Sequence, residues 1–268
     1  MKRIILSVVA LLLFAVTSFS QSAWSYFSKG NAAYERSNYV SAIQYYQQAI
    51  RVKPNYPEAF IGMADSYFRR GAYEQASEAY QQAIKLKPSD ASLYFNLGLS
   101  YARLSKMDKA AEAYRQALLF QPEMSEGYYN LGLAYFNMGS YERAIRAYRE
   151  ALRLEPNDAD IHYNLGLAYN SSGIYSMAIR SFNEAAKLEP YVSDIYYNLG
   201  LAYNSEGIYS QAIRAFNVAA RLDPYGADIY YNLGLAYDNQ DCHGDACKAY
   251  KTAVKLCPDY APLCRDKY

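Results

Sequence analysis

The sequence predicts an all-α fold, a solenoid of stacked helical hairpins rather than one globular core. Three observations carry that expectation. Seven prolines recur 34 residues apart, at Pro54, Pro88, Pro122, Pro156, Pro190, Pro224 and Pro258. Within each interval small and aromatic residues return in phase at helical spacing. A breaker then divides each interval into two helix-length halves. The period places copies at 23–56, 57–90, 91–124, 125–158, 159–192, 193–226 and 227–260.

The first half of each copy opens on Tyr26, Phe60, Tyr94, Tyr128, His162, Tyr196 or Tyr230. Four residues later stands a small residue: Gly30, Ala64, Gly98, Gly132, Gly166, Gly200 or Gly234. Three further on come Tyr67, Tyr101, Tyr135, Tyr169, Tyr203 and Tyr237, with Ala33 in the first copy. These spacings define one face of a first helix. Gly71, Gly139, Gly173 and Gly207 follow, suited to the left-handed residue that closes a helix. The second half repeats Ala42, Ala76, Ala110, Ala144, Ala178, Ala212 and Ala246. Four residues on lies an aromatic (Tyr46, Tyr80, Tyr114, Tyr148, Phe182, Phe216, Tyr250), and three beyond that another Ala, from Ala49 to Ala253. Small against large lets a neighbouring helix approach closely. The proline stops the second helix, having no N–H donor and a ring that clashes one turn back. Asp90 and Asp158 then stand where a side chain can cap the next helix.

In these residues, for example Tyr128-Tyr129-Asn130-Leu131-Gly132 through Tyr135, Gly139, Ala144, Tyr148, Ala151 and Pro156, the chain resembles the tetratricopeptide repeat (TPR) family. The resemblance implies a right-handed superhelix whose first helices line a concave groove that holds a peptide or protein. It implies no reaction. It also implies that places two, five, nine, twelve and thirteen of each copy face the groove. Place five carries Tyr129, Tyr163, Tyr197 and Tyr231, and place nine carries Leu133, Leu167, Leu201 and Leu235. One turn apart, they form Tyr-over-Leu pairs, with Asn170 and Asn204 at place twelve beside them. Asn stands at place nine only in Asn31, and clamp lysines are absent, so an apolar peptide fits better than a carboxylate terminus. Two readings of the leucines stay open: an apolar stripe for a ligand, or packing between adjacent helices. Asp160, Asp194 and Asp228 at place two either cap helix starts or favour a partner with Lys or Arg.

The ends differ from the repeats. Met1-Lys2-Arg3 and an apolar run from Ile4 to Phe19 have the layout of a secretory signal over 1–20, with Ser18 and Ser20 before Gln21. Residues 21–22 form a short mature N-terminus. Export to a bacterial periplasm or the exterior follows, with no stable insertion in a membrane once the signal is removed; an uncleaved anchor is the alternative. Without Lys2 and Arg3, 25 basic residues face 26 acidic ones, a net of −1. So even a balance argues against nucleic acid as a partner. All four cysteines (Cys242, Cys247, Cys257, Cys264) lie near the C-terminus, and an exported chain favours disulfides. Helical geometry separates Cys247 from Cys257 by roughly 15 Å if the final helix is continuous, and puts Cys242 and Cys257 at its opposite ends. Cys242–Cys247 and Cys257–Cys264 remain, the second pinning the stub 261–268 over the last copy.

Little here does chemistry. His162 occupies the aromatic place of its neighbours. His243 beside Cys242 and Cys247 fits no common zinc spacing, and no metal or cofactor is expected. The expectation is a non-enzymatic scaffold for a protein or peptide with apolar and basic residues, in bacterial envelope assembly. Self-assembly by end-to-end stacking is the alternative.

Overall fold

The computed structural model describes residues 22–261; the expected signal over 1–20 and Cys264 lie outside them. Helix α1 covers 22–35. It is followed by α2 (Tyr39–Val52), α3 (Pro57–Arg69), α4 (Tyr73–Leu86), α5 (Ala91–Arg103), α6 (Met107–Phe120) and α7 (Ser125–Asn137). Then come α8 (Tyr141–Leu154), α9 (Ala159–Ser171), α10 (Tyr175–Leu188), α11 (Ser193–Ser205), α12 (Tyr209–Leu222), α13 (Ala227–Asp238) and α14 (His243–Leu256), with a 3-10 turn over Pro258–Tyr260. There is no strand among the described residues. The fold is all-α, built of antiparallel helix pairs. Packing divides it into two compact units, Met1–Ala134 and Tyr135–Tyr268.

In each unit helices pair twice over. In unit 1, α3 packs on α4 and α5 on α6; in unit 2, α9 packs on α10, α11 on α12 and α13 on α14. Second helices then seat against the next first helix, as α2 on α3, α4 on α5, α10 on α11 and α12 on α13. The small-against-large rule is visible atom by atom. A Cβ added at Gly200 would stand 2.6 Å from the Phe216 ring, and one at Gly98 would stand 2.5 Å from Tyr114. Tyr46, Tyr114, Phe182, Phe216 and Tyr250 are accordingly among the fully buried side chains. Their second-helix neighbours Ala42, Ala178, Ala212 and Ala246 are wholly buried too.

The turn inside each hairpin is left-handed throughout, at Ser37 (φ 57°), Gly71 (76°), Ser105 (57°), Gly139 (70°), Gly173 (74°), Gly207 (80°) and Asp241 (59°). Glycine takes this conformation without the Cβ clash that Ser37, Ser105 and Asp241 carry. At the other end the prolines act one residue earlier than a simple stop. Second helices end at Val52, Leu86 and Leu222, and the residue before each of these prolines leaves the α-region, as at Lys53 (φ −131°, ψ 91°), Lys87 (φ −133°, ψ 73°) and Asp223 (φ −125°, ψ 92°). The proline ring excludes the α-region from its predecessor. That residue still donates its N–H back to the helix, Lys53 to the Ala49 carbonyl and Asp223 to that of Ala219. Asp90 and Asp158 cap α5 and α9 by accepting from the Ser92 and Ile161 N–H groups.

The C-terminal end corrects one expectation. Cys242, Cys247 and Cys257 are free thiols, so the Cys242–Cys247 bridge is not formed. Cys242 is the N-cap of α14 and Cys247 lies five residues along it. Five residues rise about 7.5 Å and turn through about 140°, which points the two Cβ atoms apart. The partner proposed for Cys257 is outside the described residues. Among the described residues, Tyr260 covers the last copy. Its ring lies 4.8 Å from Tyr231, and its hydroxyl donates to Asp228 Oδ1.

Candidate functional site

In unit 2 the candidate groove is built on α9, α11 and α13. Place five of each first helix leans on the buried aromatic of its own second helix. Tyr163 meets Phe182 at 5.8 Å, Tyr197 meets Phe216 at 6.0 Å, and Tyr231 meets Tyr250 at 5.7 Å between ring centroids. The hydroxyls are then held by the following copy: Asn198 Nδ2 donates to Tyr163 (3.0 Å) and Asn232 Nδ2 to Tyr197 (3.1 Å). The same amides also donate to the Asp194 and Asp228 carbonyls, at 2.9 Å each. Two bonds from one amide fix the ring in place and link neighbouring hairpins. Burial raises the Tyr163 and Tyr197 hydroxyl pKa values, with Asp194 and Asp228 adding to it, so both stay neutral and keep a proton to donate.

Leu167, Leu201 and Leu235 are half-buried, as are Tyr163, Tyr197 and Tyr231. Asp160, Asp194 and Asp228 are exposed in the first turns, Asp228 being taken by Tyr260. Asn204 Oδ1 accepts from Asn239 Nδ2 at 3.2 Å. Asn170 Oδ1 is buried and meets no donor. Tyr129 and Leu133 lie on α7 and are also half-buried. In the copies 159–192 and 193–226 the residue before the next first helix is Val192 or Gly226. The corresponding Tyr56 and Tyr260 lie against Phe27 and Tyr231 in the first and last copies. Tyr163 and Tyr197 therefore have no aromatic cover from that place.

Unit 1 carries a different groove, which the sequence reading missed. A cavity of about 280 Å³ lies between α1 and α3, lined by Phe27, Asn31, Tyr34, Tyr46, Ile61 and Asp65, among others. Tyr46 donates to Asn31 Oδ1 (2.8 Å) and Tyr80 to Asp65 Oδ1 (2.5 Å). The Tyr46 hydroxyl is pushed up to about 12, by burial first and then by the Asp65 charge. Burial raises the Asp65 pKa, against the opposing pull of the Tyr80 hydrogen bond and of Arg69. The signal was available: Asp65 stands at place nine, where later copies have leucine. A second cavity, about 440 Å³, opens beside Ile50, Phe60, Met63 and Tyr67.

The histidines do structural work. His162 Nε2 lies 3.0 Å from the Pro156 carbonyl, the bond that Tyr94 and Tyr196 make to Pro88 and Pro190 from the same place. It is half-buried at a helix start rather than in the core. His243 Nδ1 lies 3.4 Å from Asp238 Oδ1. No cluster among the described residues could hold a metal ion.

Known proteins agree with this architecture. The TPR repeat matches residues 30–69, 64–105, 103–139, 134–173 and 202–241, and further tetratricopeptide-repeat patterns match 159–191 and 227–260. The chain belongs to the tetratricopeptide-repeat family. No curated protein matches it. Among solved structures, this TPR chain is similar to the C-terminal part of a TPR repeat-containing protein of Cytophaga hutchinsonii (TM-score 0.74, 18% identity, 87% of this chain and 95% of that part). It is similar to MamA of Desulfovibrio magneticus RS-1 (0.60, 26%, 62% and 94%). It is also similar to YrrB, described as a TPR protein with an unusual peptide-binding site (0.64, 24%, 71% and 99%).

Proposed function

We propose that this TPR protein is a non-enzymatic scaffold that holds an apolar segment of another protein against the first helices of unit 2. One observation carries the reading: the Tyr-over-Leu pairs Tyr163/Leu167 and Tyr197/Leu201 keep part of their surface exposed, with Tyr197 and Leu201 packed from behind on the core around Ala212 and Phe216. The rings are held from behind by Phe182 and Phe216 and from the side by Asn198 and Asn232. A preorganised aromatic-aliphatic surface loses little entropy on binding. The exposed Asp160 and Asp194 beside it favour Lys or Arg in the partner. The N-terminal pattern of Met1–Ser20 supports export, and with it a role in bacterial envelope assembly.

The test is capture from native envelope extract by the parent and by a Leu167→Asn/Leu201→Asn variant of equal circular dichroism. A partner held by the parent and lost by the variant is expected. The same partners on both would place the binding site elsewhere. No partner on either, with light scattering that grows with concentration, would favour assembly of the chain with itself.

A further inference from the structure

The second helices of unit 2 carry a charge pattern that the groove does not use. Along α8, α10, α12 and α14 stand eleven basic residues against four acidic ones. Two columns recur once per copy: Arg146, Arg180, Arg214 and Lys248, and seven residues further on Arg153, Lys187, Arg221 and Lys255. Arg143, Arg149 and Lys251 fill the same faces, and all eleven are exposed. The opposing acids are Glu142, Glu150, Glu184 and Asp245. Glu150 pairs with Arg153 (3.0 Å), Glu184 with Lys187 (2.7 Å) and Asp245 with Lys248 (2.7 Å). Pairs this exposed are worth little and exchange readily for another anion.

The first helices of the same unit are the opposite. On α9, α11 and α13 there is no Lys or Arg, only Asp160, Asp194, Asp228 and Asp238. Unit 1 shows no such segregation: α2, α4 and α6 carry four basic and four acidic residues. A near-neutral total thus conceals a segregation of charge between the first and second helices of unit 2, with the acids Glu155, Glu189 and Asp223 just past the ends of α8, α10 and α12.

We propose that the outer face of α8, α10, α12 and α14 docks on an anionic lipid surface. The charge spans two dimensions, about 10 Å along each helix between the two columns and across four successive hairpins. An area of charge suits a planar polyanion better than a single extended acidic segment. Stacking on nucleic-acid bases is disfavoured among the basic columns, because Tyr148, Phe182, Phe216 and Tyr250 are fully buried. The half-buried Tyr141, Tyr175 and Tyr209 stand at the helix starts, five residues before the first column. Long basic side chains near an anionic bilayer contribute individually and add up, and Arg matches the lipid phosphate with two donors.

The experiment measures partition of the full chain onto vesicles of phosphatidylglycerol with phosphatidylcholine, and onto phosphatidylcholine alone. The apolar stretch before Gln21 contributes to both vesicle types and to every variant equally. Arg146→Gln, Arg180→Gln, Arg214→Gln and Lys248→Gln together should lower partition onto the anionic vesicles at least roughly ten-fold, and leave the neutral ones unchanged. The same treatment of Arg153, Lys187, Arg221 and Lys255 should act alike, which guards against one variant misfolding. High salt should bring the parent down to the variants, while Leu167→Asn/Leu201→Asn should bind vesicles as the parent does. Equal partition of parent and both charge variants onto anionic vesicles would overturn the proposal. So would tighter binding to poly-glutamate or to duplex DNA than to the vesicles.

Discussion

Unit 1 and unit 2 share one hairpin but spend place nine differently. The first two copies of unit 1 put Asn31 and Asp65 there, each held by a buried tyrosine hydroxyl, and both line a cavity beside Phe27 and Ile61, while the next copy of unit 1 already has Leu99. Unit 2 puts Leu167, Leu201 and Leu235 there, and Phe182 and Phe216 replace the tyrosines that would need a partner. In the copies 159–192 and 193–226 the buried ring and the groove residue change together, which avoids the cost of about 1–3 kcal/mol for a buried hydroxyl without a partner. Leu99 instead faces Tyr114, whose buried hydroxyl meets no partner, and Leu235 faces Tyr250, whose hydroxyl donates to Asp238. Stability lies in the shared frame, and groove chemistry in the paired exceptions.

The largest expected effect tests the frame. Phe216→Ala should cost about 3–5 kcal/mol, and hydrogen exchange should show the loss in α11–α13 while α3–α5 keep their protection, since each hairpin supports only its neighbours. Loss of protection through the whole chain would mean the two units unfold together.

Asp65→Asn sharpens the chemical contrast. The folded state raises the Asp65 pKa, so ionisation works against folding: its protonated form is favoured below the unfolded value, and that benefit fades as pH rises through the folded value. The variant should melt higher than the parent at pH 7, with the gain vanishing below about pH 4. Leu201→Asp, by contrast, has no Tyr80-like donor at Phe216 and should melt lower at pH 7.

Smaller effects follow at the links. Tyr197→Phe removes the bond from Asn232 and should cost about 0.5–1.5 kcal/mol in denaturant unfolding. Ser105→Gly or Ser37→Gly should stabilise by a few tenths of a kcal/mol up to about 1, and Gly207→Ser should do the reverse. Equal effects in all three would show that the left-handed turn carries no strain.

Much of the frame was legible because its residues act locally or on the adjacent helix. The Gly200–Phe216 contact, the left-handed Gly173 and the Asp158 cap each follow from spacing alone. Ser37, Ser105 and Asp241 were hidden at the same turn because residue type there gives no glycine signal. The groove was less legible. The position of Leu201 could be read from its register, but its half-exposure depends on what the next hairpin covers. Asp65 was overlooked because its meaning depends on Tyr80, fifteen residues away on another helix. The cysteine pairing failed because a helix N-cap and its fifth residue diverge.

The proposed ligand of the Tyr-over-Leu surface of unit 2 is an apolar segment with basic residues. The most direct test is selection of a random peptide library on the full chain, followed by affinities for the parent and for Leu167→Asn/Leu201→Asn. Peptides with aliphatic or aromatic anchors beside Lys or Arg are expected, bound at least roughly ten-fold more weakly by the variant and indifferent to Asp65→Asn. Peptides that bind parent and variant equally, or that lose affinity only with Asp65→Asn, would contradict it.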